Sequence, residues 1–134
     1  MSEINTPAVA MPDPATGKRW RVLIIDDCID DADLAEIELR GGGIDAEFLR
    51  VDNERALREA LATFAPDLVL SDVNLPGFSG VRAHAIVHEL RPDSRFVFLT
   101  GSVEGSIEFP PAVAVINKNR LPDLSTLIHQ LLVM

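Results

Sequence analysis

Three carboxylates, a hydroxyl and an amine recur in this chain at one kind of place, where an apolar run gives way to a turn. Asp26 and Asp27 follow VLII, Asp72 closes LVLSD, Thr100 closes FVFLT and Lys118 closes AVAVINK. Carboxylates gathered within about 4 to 6 Å repel one another by several kcal/mol at an effective dielectric near 20, so such a group calls for a cation or a proton. Mg²⁺ fits best: it is hard, takes oxygen ligands, and binds one or two protein carboxylates together with a phosphate. A carboxylate in that setting can attack phosphorus and become an aspartyl phosphate. The metal and Lys118 would neutralise charge on the transferring oxygens, and Thr100 would hydrogen-bond one of them. Asp72 is the residue expected to carry the phosphoryl group.

These side chains can meet only if the elements that carry them end at one edge. RVLIIDD (21–27) is a short apolar run suited to a strand buried on both faces, and AEFLRV (46–51), DLVLSD (67–72), RFVFLT (95–100) and AVAVINK (112–118) read as four more strands. Between them lie helical patterns. The first is capped by Asp30 or Asp31, turns Leu34 and Ile37 inward and stops at Gly41, Gly42 and Gly43. ERALREALATF (54–64) sets Leu57, Ala60, Leu61 and Phe64 on one stripe, and Pro66 closes it. VRAHAIVHELR (81–91) turns Ala83, Ile86, Val87 and Leu90 inward, and a closing helix over about 122–132 buries Leu124, Leu127, Ile128 and Leu131. Strands alternating with amphipathic helices imply an α/β, doubly wound, five-stranded parallel sheet with helices on both faces. Such sheets bind ligands at the carboxyl ends of their strands, which is where the acids, Thr100 and Lys118 fall.

At 134 residues and 47% apolar content, the chain is the size of one domain with a continuous core. Residues 1–18 hold three prolines and no periodicity, so they read as a flexible N-terminal arm, with the folded domain over 19–134. No apolar run approaches the roughly 20 residues of a membrane span, and no secretory signal pattern precedes the domain; a cytoplasmic protein without membrane contact is expected. Twenty-one acidic against twelve basic residues, a formal charge of −9, would repel nucleic-acid phosphates, so no nucleic-acid partner is expected. Cys28 is the sole cysteine, excludes an internal disulfide, and reads as a small buried hydrophobe near a strand end.

VLIIDD, LVLSDVNLPGFSG, FLTG and INK, in that order, give the chain over about residues 20–133 a resemblance to the receiver domains of two-component response regulators, whose chemotaxis member has a flavodoxin-like sheet of order 2-1-3-4-5. The resemblance implies that Asp27 binds Mg²⁺ directly and Asp26 through water. It also implies that Asn74 offers its backbone carbonyl to the metal, its side chain sitting where the family tunes hydrolysis. Asp72 would accept phosphate from a histidine kinase or a phosphotransfer protein, and a downstream target protein would read the charged form. The domain ends within about two residues of its last helix, so a stand-alone receiver is expected, with output through a partner and an oligomeric state that the sequence leaves open.

Three features depart from the family pattern. Val115 stands where a signalling aromatic is expected, Asn119 stands where most receivers have a proline, and GSVEGSIEFPPA (101–112) has two glycines, a Pro-Pro pair and no helical stripe. The fourth helix is therefore expected to be shortened or absent, with a rearranged loop carrying Phe109 as the responsive surface. Two other readings remain. A pseudo-receiver would have the site without being phosphorylated. A haloacid-dehalogenase-type phosphohydrolase would turn over phosphate esters, although that class favours an acid where Asn74 stands. His84 and His88, four apart, are placed at the solvated border of the third helix rather than at a metal.

Overall fold

The computed structural model describes residues 20–75, 78–100, 114–120 and 122–133. Five parallel strands, β1 (Trp20–Ile25), β2 (Ala46–Val51), β3 (Leu68–Asp72), β4 (Arg95–Thr100) and β5 (Ala114–Asn117), form one sheet of order β2-β1-β3-β4-β5. Among the described residues, four helices, α1 (Ile29–Gly41), α2 (Glu54–Thr63), α3 (Gly80–Leu90) and α4 (Pro122–Val133), accompany them. The sheet order and the parallel strands are those expected. The segment 101–112 and the arm 1–18 lie outside the described residues.

Side chains alternate across each strand, so every central strand feeds two cores. Val22 and Ile24 join Leu68, Leu70, Val97 and Leu99 beneath α1 and α4, which contribute Ala32, Ala35, Leu39, Leu124 and Ile128. Leu23, Ile25, Val69 and Phe98 face the other way, against Leu57, Ala60 and Leu61 of α2 and Ala83, Ile86 and Val87 of α3. Burying a side chain of this size stabilises the fold by about 1.5–3 kcal/mol, and the sheet collects that gain on both faces.

Local chemistry sets the helix starts. The Asn53 side chain accepts a hydrogen bond from Ala56 N at 2.8 Å and caps α2; Ser79 Oγ accepts from Arg82 N at 3.0 Å and caps α3. An antiparallel ribbon that the sequence did not suggest, Asn74–Leu75 paired with Phe78–Ser79, leads from Asp72 into α3.

Several expectations need correction. Leu34 and Ile37 do not face inward: they are 52% and 64% exposed, and α1 buries Ala32, Ala35 and Leu39 instead. The alanines let the helix lie close to the sheet, and that rotates the larger side chains outward. Neither Asp30 nor Asp31 caps α1, whose N-cap position is Cys28 without a side-chain cap bond. Because β1 ends at Ile25, Cys28 lies beyond the sheet and is exposed rather than buried. Leu90, the last residue of α3, is also exposed, because the chain there turns away toward β4.

Candidate functional site

The parallel register brings distant residues level. Ile25 pairs with Ser71, so Asp26 and Asp72 are the next residues of their chains. Asp72 itself pairs with Leu99, and Thr100, one step on, pairs with Asn117. Lys118 therefore emerges from β5 into a 3₁₀ turn (Lys118–Arg120) at the same edge as Thr100. Carboxylate oxygens of Asp26, Asp27 and Asp72 all lie within 4.8 Å of one another. Lys118 Nζ donates to Asp31 Oδ2 at 2.8 Å, Asp26 Oδ2 at 3.0 Å and Asp72 Oδ2 at 3.3 Å.

Asp26 is the buried member, 1% exposed. Its Oδ1 accepts from Cys28 N at 2.9 Å, its backbone N donates to Val51 O at 3.0 Å, and its backbone O accepts from Arg50 Nη1 at 3.0 Å. Burial pushes its carboxyl above the ordinary aspartate value, against the pull of the Cys28 N–H and Lys118. For Lys118, burial alone would favour the neutral amine; hydrogen bonds to Asp31 and Asp26 and the fields of Asp26 and Asp72 override it and raise the ammonium well above the usual lysine range. Lys118 is thus a fixed positive charge bonded to three carboxylates.

The approach to Asp72 is equally constrained. Ser71, fully buried, donates its hydroxyl to Asp72 O at 2.8 Å, and Gly80 N donates to Val73 O at 2.8 Å. A Cβ on Gly80 would lie 2.5 Å from Asp72 O and 2.9 Å from Val73 Cα, so only glycine lets α3 start this close to the acid.

Of the residues singled out in the sequence, Asp26, Asp27, Asp72 and Lys118 are brought together at bonding or near-bonding distance. Thr100 ends β4 at the same edge and is partly buried. Asn74 opens the ribbon two residues past Asp72, its backbone paired with Ser79. His84 is partly buried, edge-on to Phe96 at 4.9 Å, while His88 is exposed. Asp31 was read only as a helix cap. Its signal was its offset of four from Asp27, one helical turn along α1 from the site. Arg50 and Gly80 were missed as well, since each acts through backbone contacts that only the fold creates.

With this geometry in place, the family can be stated. The model for the response regulator receiver domain matches residues 22–110, and the chain belongs to that family. A match to the DNA-binding response regulator MtrA of Mycobacterium leprae is 40% identical over 76 residues, covering 57% of this chain and 32% of that protein. MtrA of Mycobacterium tuberculosis gives the same identity, covering 31% of its length. The matched stretch thus spans about a third of those relatives. Among solved structures, the CheY-like receiver domain protein of Methanospirillum hungatei has a TM-score of 0.64 at 27% identity, covering 86% of this chain and 94% of its own. A Thermotoga maritima response regulator superposes with a TM-score of 0.70 at 20% identity, over 87% and 99%, and shares the fold. Receiver domains are signalling domains. No described helix is long and apolar enough to cross a membrane.

Proposed function

We propose that this receiver is a Mg²⁺-dependent phosphoacceptor: Asp72 takes a phosphoryl group from a phosphohistidine on a histidine kinase or phosphotransfer protein, and the charged form signals through contacts with a target protein. The observation that carries this reading is the cluster itself, Asp72 within 4.8 Å of Asp26 and Asp27 and 3.3 Å from the Lys118 ammonium. A carboxylate oxygen of Asp72 forms the new O–P bond while the P–N bond of the donor breaks and its electron pair returns to the imidazole.

The donor set suits a hard divalent ion, since all three groups offer carboxylate oxygen. Asp26, Asp27 and Asp72 would hold Mg²⁺, with the Asn74 backbone carbonyl as a further oxygen. When bound, the ion supplies charge neutralisation at the transferring oxygens. Lys118 would donate to a phosphoryl oxygen once the group arrives, and Thr100, at the end of β4, would hydrogen-bond another. Water attack on the acyl phosphate would return Asp72 to its carboxylate, so slow self-dephosphorylation is expected.

The formal charge of −9 argues against contact between this domain and nucleic-acid phosphates, which favours a protein target in the cytoplasm. Incubation with Mg²⁺ and acetyl phosphate, followed by intact mass measurement, tests the reading. The wild type should gain one phosphoryl group and Asp72→Asn none. An unmodified wild type would leave a binding module, and turnover of a phosphate ester would point to a hydrolase.

A further inference from the structure

Lys118 presents three N–H donors, and all three meet carboxylates, on Asp31, Asp26 and Asp72. An ammonium so occupied cannot also serve a phosphoryl oxygen on Asp72. One bond has to be released when the phosphoryl group arrives.

The surroundings decide which one. Asp26 is 1% exposed, and withdrawing the ammonium would leave an uncompensated charge in the interior, which is strongly destabilising. Asp72 carries the new group. The Asp31 side chain is 39% exposed, so water can take over its hydrogen bond when the ammonium leaves. It also makes the shortest of the three bonds, and its charge stands beside the place where phosphoryl oxygens would collect. Neutralising it therefore works in one direction only: it frees Lys118 and removes a repulsion.

Resting on the phosphoacceptor reading, we propose that Asp31 is a positioning residue that holds the Lys118 ammonium in the unphosphorylated domain and competes with the phosphoryl group for it, so that its carboxylate biases the domain against the phosphorylated form. Asp31 lies on the first turn of α1, outside the three acids suited to the metal. The bias can be tuned there without changing the acceptor.

The test uses the full chain at saturating Mg²⁺ and beryllium trifluoride, a tetrahedral phosphoryl analogue. Asp31→Asn should bind the analogue roughly threefold more tightly than wild type, in line with a half-exposed ion pair. Asp31→Glu, which keeps the charge, should stay near the wild-type value. In the free protein, the Lys118 ammonium signal in nitrogen-detected NMR should exchange its protons faster in Asp31→Asn, an effect that a purely structural role at α1 would not produce. Unchanged or weaker analogue binding by Asp31→Asn, or an unaltered ammonium signal, overturns the proposal. Failure of the phosphoacceptor reading is separate, seen when wild type neither gains the phosphoryl mass with acetyl phosphate nor binds the analogue, and it takes this proposal down with it.

Discussion

The two edges of the sheet are built from similar residues to opposite ends. At the amino edge, Asp67 is bonded through side chain and backbone: its Oδ2 accepts from Arg21 N at 2.9 Å, its N donates to Arg21 O at 2.8 Å and its O accepts from Arg95 N at 3.0 Å. Nearby, Ser94 Oγ donates to Pro66 O at 2.6 Å and Arg21 Nη1 to Phe64 O at 3.0 Å. Each of these bonds ties two chain segments together. At the carboxyl edge, three carboxylates crowd one ammonium, a fourth, Asp27, stands close to two of them, and burial works against the charge of Asp26. An edge satisfied by its own backbone serves stability. One that carries excess like charge is held in readiness for a cation and a phosphoryl group, and the rest of the fold supplies the energy that keeps it so.

Gly80→Ala should breach this division most, because it strikes the carboxyl edge through packing rather than charge. The added methyl would meet the backbone of Asp72 and Val73, neither of which can yield without shifting the acid. A loss of about 2–3 kcal/mol is expected in urea unfolding, at the upper end for overpacked sites. Adduct formation with acetyl phosphate should fall with it. A variant as stable as wild type would mean that the ribbon and α3 start can slide away from the strand.

Charge substitutions at the two edges should then move stability in opposite directions. Asp67→Ala removes the acceptor for Arg21 N and should cost about 1–2 kcal/mol while leaving phosphorylation at Asp72 intact. In metal-free buffer, Asp72→Asn relieves repulsion within the cluster and should raise the urea midpoint by a smaller amount, although it abolishes the adduct. A drop in the midpoint for Asp72→Asn would show that its bond to Lys118 outweighs the crowding.

Much of this was readable in the sequence, for a physical reason. Parallel strands buried on both faces are written as apolar runs, so LVLSD and RFVFLT announce both their structure and where their polar ends must lie. The α2 stripe of Leu57, Ala60 and Leu61 was plain because large and charged residues alternate cleanly there. The α1 stripe was not. That helix buries alanines, whose small size signals little, and exposes Leu34 and Ile37, whose size signals the wrong face. Misreading that rotation also hid Asp31, since the turn that exposes Leu34 is the one that aims Asp31 at Lys118. Arg50 and Gly80 stayed hidden because their partners, the Asp26 and Asp72 carbonyls, come near only through the sheet register and the ribbon. The expectations for residues 1–18 and 101–112, including Phe109, rest on composition alone.

The smallest expected effect is in the response to acid, where Asp26 and His84 should oppose each other. Burial and the neighbouring His88 hold His84 below the ordinary histidine value of 6.5. The unfolded chain therefore binds its proton first, and His84 subtracts stability as pH falls through 6.5 toward its folded value. Asp26 is raised above the ordinary 3.8, so the folded protein binds that proton first. Its penalty is present in full above the folded value and fades as pH drops toward 3.8. Urea midpoints in chelator at pH 7.5, 6 and 4.5 can separate the two. His84→Gln should flatten the decline on the neutral side and leave the acidic limb unchanged, whereas Asp26→Asn should shift the pH 7.5 and 6 midpoints together and change the slope only on the acidic limb. If both variants changed the same limb, the strained carboxylate edge and the histidine packed against Phe96 would be titrating as one unit, and the division between the site and its supporting scaffold would not hold.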